Sequence, residues 1–166
     1  MIIGLDLAPN ATGVAIIGGD GEFIYWETIV APSVLNPSRR IQYSLGRVRV
    51  LVEVFGIKEA AIEDYAFAQH GKGDATVREH GGIIRNMLLE RGIKIFLYGI
   101  STIKKFATGS GGADKGAMNE SFIKLCKKRK DKTEHVVDAY FLAQIHFTNI
   151  RLKLLGEDLY TFKEIL

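Results

Sequence analysis

The chain has 166 residues, of which 47% are apolar and 25% charged, values typical of one globular domain rather than a disordered segment. We therefore predict a single domain over residues 1–166. The single cysteine, Cys126, excludes a disulfide framework within one chain and suits a reducing compartment, so we predict a cytoplasmic protein. The net charge of +3 permits a polyanionic partner without requiring one.

The first third of the sequence is rich in strand signals. Residues 2–8 form an apolar run interrupted only by Asp6, and residues 12–18 form a second apolar run. A glycine-rich turn leads into β-rich sequence over 22–30, and Pro37 then begins a predicted helix that runs to Gly56. No basic region precedes the first run and no run reaches the length of a membrane span, so we expect neither a signal peptide nor a membrane partner.

The rest of the sequence alternates between strand and helix patterns. Short strands are predicted over 58–63 and 93–98, and helices over 75–91, 100–106, 115–128 and 132–150. Residues 151–166 have weaker periodicity and are expected to form a tail packed on the surface. A run of hairpins followed by alternating strands and helices predicts an α/β layered fold on a mixed sheet.

Two strand carboxylates lie where a folded protein normally places apolar residues. Asp6 interrupts the first buried run, and Glu63 ends the run that begins at Ala60. Because a buried unpaired carboxylate is costly, each needs a cation, a hydrogen-bond donor or a proton. Side chains alternate along a strand, so Glu63 and Asp64 cannot both serve one site. Asp6 alone is equally well explained as a strand end that caps the turn that follows it, and for Glu63 alone an ordinary solvent-facing strand end is the favoured explanation.

A third carboxylate, Asp138, lies in a helix that is apolar nearly all round and therefore predicted to be buried. His135 and Glu134 precede it by three and four positions, so either could share its face of the helix. Residues 131–134 match a capping box in which Glu134 reaches back to the helix start, so we favour His135 as the partner of Asp138 and keep Glu134 as the alternative. Such a carboxylate set favours a hard cation such as Mg²⁺ over zinc.

Four stretches carry a resemblance to a known family. They are Ile3-Gly4-Leu5-Asp6-Leu7-Ala8-Pro9 with Thr12-Gly13, Ala61-Ile62-Glu63, Ser101-Thr102-Ile103-Lys104 with Ala113-Asp114-Lys115, and His135-Val136-Val137-Asp138-Ala139. Together they make the chain resemble the RuvC family of Holliday junction resolvases, within the ribonuclease H-like superfamily. Actin-like sugar kinases and ATPases open in a similar way, but the lysines eleven positions apart and the closing His/Asp helix are more specific to RuvC.

The resemblance implies both a fold and a site. The fold would be a ribonuclease H-like α/β fold of three layers, with a mixed five-stranded sheet flanked by helices. Asp6, Glu63, His135 and Asp138 would hold two Mg²⁺ ions, for which Mn²⁺ can substitute; the family has Asp or His at the position of His135. Lys104 and Lys115 would contact the scissile DNA backbone or assist cleavage, and the cut would leave a 5′-phosphate and a 3′-hydroxyl.

Branched DNA, in particular a four-way junction, is the implied partner. The family's stacking phenylalanine would fall near Ala66, which is flanked here by Tyr65 and Phe67, and either ring could stack on a base. Further candidate DNA contacts are Lys72, Arg78, Arg39, Arg40, Arg47, Arg49 and the cations of 124–132. The two-fold symmetry of the junction calls for a homodimer. Gly81-Gly82 marks a candidate dimer face, although packing against the sheet explains these glycines equally well.

These features predict a metal-dependent endonuclease that resolves Holliday junctions by paired phosphodiester hydrolysis, in a bacterium or encoded by a phage. One alternative is a less selective nuclease of the same superfamily that acts on flaps or forks. Another is a junction-binding protein without catalysis, because His135 departs from an all-carboxylate ligand set. A sugar kinase or ATPase would need a second lobe, for which 166 residues leave little room.

Overall fold

A computed structural model describes residues 1–64, 72–126 and 133–165, without the side chains of residues 72–74. The strands are β1 (Ile2–Asp6), β2 (Ala11–Ile17), β3 (Phe23–Val30), β4 (Glu59–Glu63), β5 (Lys94–Tyr98) and β6 (Lys163–Ile165). The helices are α1 (Pro37–Val54), α2 (Lys72–Glu90), α3 (Ile100–Thr108), α4 (Lys115–Leu125) and α5 (Glu134–Leu155). Within these ranges, no helix is long and apolar enough to cross a membrane.

The strands form one mixed sheet in the order β3-β2-β1-β4-β5-β6. The first three strands pair as an antiparallel meander, and β1, β4 and β5 are parallel. The parallel pairing brings the carboxyl ends of β1 and β4 side by side at one edge of the sheet. The predicted α/β class with a mixed sheet is confirmed.

Alternating strand residues divide between two apolar cores, as the period of a strand requires. Ile3 and Leu5 of β1 face a core that α1 and α2 cover with Val48, Leu51, Ile84 and Leu88. Ala61 of β4 and Tyr98 of β5 face the opposite core, which contains residues of α3, α4 and α5. Helices therefore cover both faces of the sheet, which gives the three layers expected.

The C-terminal segment differs from the prediction of a five-stranded sheet and a surface tail. Helix α5 continues to Leu155 and ends at Gly156, whose φ of 73° lies in the left-handed region that favours glycine. The chain then returns to the sheet as β6, which pairs antiparallel with β5. A strand of three residues is too short to show alternation, so the pattern could not reveal it. Asn149 of α5 secures this return, because its side chain exchanges hydrogen bonds of 2.9 and 2.8 Å with the backbone of Tyr160.

The start of α5 corrects the predicted capping box. Thr133 is the N-cap and its hydroxyl accepts a hydrogen bond from the Val136 backbone N–H, so Glu134 is the first helical residue rather than the third. From that position the Glu134 side chain does not reach back to the helix start; it forms an ion pair with Lys115. The predicted capping role of Glu134 is therefore wrong.

His80 of α2 is expected to make the protein sensitive to acid. Its side chain is fully buried, and neither ring nitrogen has a hydrogen-bond partner within the ranges that the structure covers. Burial lowers the pKa of His80 to about 4, whereas the unfolded chain restores it to about 6.5. The unfolded state therefore takes up the proton first, and stability is lost as the pH falls from about 6.5 towards 4.

Replacement His80→Leu tests this expectation. At pH 5 protonation of His80 in the unfolded state should cost about 2 kcal/mol of unfolding free energy relative to pH 7. We measure the unfolding free energy by urea denaturation at both pH values. Its loss from pH 7 to pH 5 should be about 2 kcal/mol smaller in His80→Leu than in the parent protein. Equal losses in the variant and the parent protein would contradict the assignment of a neutral, buried His80.

Candidate active site

Two carboxylates meet at the carboxyl ends of neighbouring parallel strands. Asp6 is the last residue of β1 and Glu63 the last residue of β4, and the two strands pair with Leu5 opposite Ile62. Each lies where its strand leaves the buried centre of the sheet, and the side chain of Asp6 is 14% exposed. The topology therefore brings together two residues that are 57 positions apart in the sequence.

Helix α5 supplies the third carboxylate, Asp138. The helix can pack closely against the sheet because two strand residues that face it are glycines. A Cβ atom at Gly4 of β1 would collide with the Ala139 carbonyl oxygen, and one at Gly13 of β2 would collide with the His135 carbonyl. The absence of both side chains allows the first turns of α5 to approach the end of β1 closely. His135 and Asp138 are carried to the site on these turns.

His135 contacts the strand carboxylate directly. Its Nδ1 donates a hydrogen bond of 2.6 Å to Oδ2 of Asp6. This bond to a carboxylate is the largest cause that raises the pKa of His135 above its ordinary value, since the charged imidazolium is the better donor. The site therefore contains a histidine that favours its cationic form next to a carboxylate.

The other two carboxylates are held in surroundings that oppose their negative charge. The pKa of Glu63 is raised to about 7, first by burial and then by the negative charges of Asp6 and Asp138. The pKa of Asp138 is raised to about 6, again first by burial and then by Asp6. Three acidic groups from three elements thus share one small region and repel one another, as expected of a site that holds cations.

Two lysines lie near these carboxylates. The charge of Lys104 on α3 lowers the pKa of Glu63, which places it close to that end of the site. Lys115, the first residue of α4, forms an ion pair with Glu134 and also lowers the pKa of Asp138. The pKa of Lys115 is raised and that of Glu134 lowered, chiefly by the hydrogen bond between them. Glu134 therefore holds a lysine at the rim of the site.

The side chains of the site do not form a complete coordination sphere for a metal ion. Within residues 1–64, 72–126 and 133–165, no group of three or more His, Cys, Asp or Glu side chains could hold one metal ion in the present arrangement. The donor types nevertheless suit a hard divalent ion, because three of the four are carboxylates.

A model of the family described as crossover junction endodeoxyribonuclease RuvC matches residues 2–146. The chain belongs to the RuvC family. A protein of Treponema denticola described as crossover junction endodeoxyribonuclease RuvC is 30% identical over 161 residues, which cover 94% of this chain and 88% of that protein. Family membership places the chain among the crossover junction endodeoxyribonucleases, so the predicted enzyme class is confirmed.

Solved structures of RuvC share the fold of this family member. The structure of Thermus thermophilus RuvC matches with a TM-score of 0.75 at 20% identity, over 99% of both chains. T. thermophilus RuvC in complex with a Holliday junction substrate matches with a TM-score of 0.77 at 20% identity, over 99% of this chain and 98% of that one. The predicted ribonuclease H-like architecture is therefore confirmed, with β6 as a sixth strand.

The structure describes only some of the other residues predicted to bind DNA in this RuvC-family chain. Tyr65 and Phe67 fall outside the described residues, as does most of the cluster at 124–132, and the side chain of Lys72 is not described. Arg78 is exposed on α2. Arg40 instead bonds to the carbonyls of Leu35 and Ser33, and Arg47 pairs with Glu27, so these two arginines have partners within the fold.

Two contacts of this RuvC-family site were not expected from the sequence. The first is the ion pair between Lys115 and Glu134, which joins residues 19 positions apart. The second is a 2.7 Å ion pair between Lys163 of β6 and Asp64, a carboxylate that is 11% exposed. Asp64 thus turns to the C-terminal strand, while its neighbour Glu63 interacts with Asp6 and Asp138. The glycines at positions 4 and 13 were an available signal for the close approach of α5, since glycine inside a strand often marks such contacts.

Proposed function

We propose that this chain is a metal-dependent endonuclease that resolves four-way DNA junctions by paired phosphodiester hydrolysis. The observation on which the proposal depends is the meeting of Asp6, Glu63 and Asp138 from β1, β4 and α5, close enough that the charge of Asp6 raises the pKa of both Glu63 and Asp138. The proposal is consistent with the family and with the T. thermophilus protein whose structure contains a Holliday junction substrate.

The carboxylates are suited to hold divalent cations. Asp6, Glu63 and Asp138 would bind Mg²⁺ or Mn²⁺ through oxygen, and His135 would take part through Nε2 while Nδ1 stays bonded to Asp6. Two bound ions would supply a nucleophilic water and stabilisation of the departing 3′ oxygen. Cation binding also offsets the mutual repulsion that raises the pKa of Glu63 and Asp138.

The lysines supply positive charge next to the acidic centre, which consists of Asp6, Glu63 and Asp138. Lys104 lies close to Glu63, and Lys115 lies at the rim with Glu134 as its partner. A DNA phosphate that enters the site would attract both ammonium groups, so Lys115 would exchange its carboxylate partner for the phosphodiester. The two lysines would then stabilise the negative charge that develops on the phosphate during cleavage.

Paired cleavage calls for two copies related by a two-fold axis. The outer face of α2 is suited to such a contact, because Gly82 has open space around it and Ile83 is 39% exposed. Gly81 is buried and faces Leu7 instead, so the two neighbouring glycines have different surroundings. We propose that α2 meets its counterpart through the outer face that includes Gly82 and Ile83.

Cleavage of a panel of synthetic DNAs tests this function. Four-way junctions, flaps, forks and linear duplex are incubated with the purified protein in Mg²⁺, Mn²⁺ or EDTA. We expect symmetric nicks in the four-way junction with either metal, none in EDTA, and products that a DNA ligase can reseal. Equal cutting of flaps or forks would instead indicate a less selective nuclease. Junction binding without cutting under either metal would indicate a binding protein.

Lys104→Ala should impair the reaction far more than Lys105→Ala. Lys104 lies near Glu63, whereas its neighbour Lys105 lines a separate cleft with Asp158 and is therefore a matched control. We expect kcat to fall by about 100-fold or more for Lys104→Ala and to stay within about twofold for Lys105→Ala. Loss of the nearby cation should also raise the pKa of Glu63, so the activity should require a higher pH. Equal effects of the two substitutions would contradict the role of Lys104.

A further inference from the structure

A groove between α4 and α5 opens beside the acidic centre. Its volume is about 240 Å³. Its lining includes Lys115, Met118, Asn119, Glu134, Val137 and Asp138. Lys115 and Asp138 both belong to the site proposed to act on the scissile phosphate. A group that occupies this groove therefore lies next to the bond that is cut.

The groove has an apolar floor and a polar rim. Met118 and Val137 are only 4% and 3% exposed and form the floor. Gly116 also lines the groove. An apolar floor with a few polar groups at its edge is the usual form of a small-ligand site, here of a size below the range of about 300–1,000 Å³ for drug-sized ligands. A planar nucleobase presents an apolar face and a polar edge of this kind.

Asn119 is the lining residue suited to read such an edge. Its carboxamide both donates and accepts hydrogen bonds, whereas the ammonium of Lys115 only donates and the carboxylate of Glu134 only accepts when ionised. Lys115 and Glu134 are moreover paired with each other. The side chain of Asn119 is exposed on α4 and has no hydrogen bond to any residue in the described ranges. An asparagine carboxamide makes paired hydrogen bonds with the N6 and N7 edge of adenine.

We propose that this groove binds the base next to the scissile phosphate and that Asn119 determines which base is accepted. The inference rests on the proposed junction-cleaving function, because that function brings DNA to Asp138 and Lys115. It adds a preference for sequence at the cut, which the acidic centre itself does not supply. Adenine is the base that best matches the Asn119 side chain.

A pool of four-way junctions with randomised base pairs around the branch point tests the proposal. The pool is cut in Mg²⁺ and the cut strands are sequenced to give the base preference at each position. We expect the parent protein to prefer adenine at one position beside the cut by about 5- to 150-fold, and Asn119→Ala to lose that preference. Asn119→Asp, which only accepts when ionised, should shift the preference towards cytosine, whose N4 donates. Glu120→Ala, at the next exposed position of α4, is the matched control and should keep the parent profile.

The outcomes separate this inference from the function on which it rests. A preference that Asn119→Ala leaves unchanged, or a parent protein that cuts junctions with no base preference, would overturn the base-reading role while leaving the nuclease intact. A parent protein that cuts no junction in the pool would overturn the proposed function, and the base-reading role with it. Thermal melting of each variant verifies that a changed profile does not arise from a changed fold.

Discussion

Asp6→Asn should abolish cleavage and leave junction binding in place. Asp6 lies at the centre of the site: it accepts a hydrogen bond from His135, and its charge raises the pKa of both Glu63 and Asp138. Asparagine keeps the shape and one oxygen but removes the charge that a divalent cation requires. Because loss of even a residue that orients a metal ligand typically costs 10- to 100-fold, we expect kcat to fall by about 100-fold or more.

Two further measurements make this result specific to the charge of Asp6. The junction dissociation constant should stay within about threefold, because the substitution removes a negative charge rather than a contact to phosphate. The pKa of His135, followed by NMR, should fall towards its ordinary value, since the charged acceptor of its Nδ1–H is lost. Asp20→Asn, in the exposed turn between β2 and β3, is the control and should keep full activity. Activity of Asp6→Asn within tenfold of the parent would show that the acidic centre is not the catalytic site.

Local patterns were sufficient to predict most of the elements of this fold. Apolar runs separated by turn residues identified the meander, because β1 and β2 are buried on both faces. Helical spacing identified α1 and α2, because a helix that packs on a sheet buries one face. Asp138 could be singled out because a helix that is apolar nearly all round leaves few explanations for a carboxylate. The pairing of β4 with β1 could not be read from these patterns, since strand order depends on packing between distant segments. Only the resemblance to RuvC predicted that Asp6, Glu63 and Asp138 would lie in one site.

Where local and distant partners compete, the sequence pattern can mislead. Residues 131–134 match a capping box, yet Thr133 caps the helix and Glu134 binds Lys115 from another helix. A motif of four residues shows only the partners within reach along the chain, so it could not reveal the lysine that α4 brings next to Glu134. In the same way β6 exists because the edge of β5 offers hydrogen-bonding groups to it.

Gly13→Ala should both destabilise the protein and impair its activity. Gly13 is opposite Asp6 in the sheet, and a Cβ atom there would collide with the backbone carbonyl of His135. Its φ is negative, so alanine meets no strain of its own and the whole effect is steric. Relief requires the first turn of α5 to move away from β2. Overpacking of this kind typically costs about 1–3 kcal/mol of unfolding free energy, which corresponds to a fall in Tm of about 2–12 °C.

The loss of activity should exceed what the loss of stability explains, because the displaced turn carries His135 away from Asp6. At a temperature well below the Tm of the variant, we expect kcat for junction cleavage to fall by about tenfold or more. Gly46→Ala, on the exposed face of α1 with open space around it, is the control. It should keep full activity and raise the unfolding free energy by about 0.5–1 kcal/mol, since alanine is the better helix former. A Gly13→Ala protein with parent stability and parent activity would show that α5 does not lie directly on the sheet, and the geometry that brings Asp138 to Asp6 would then be wrong.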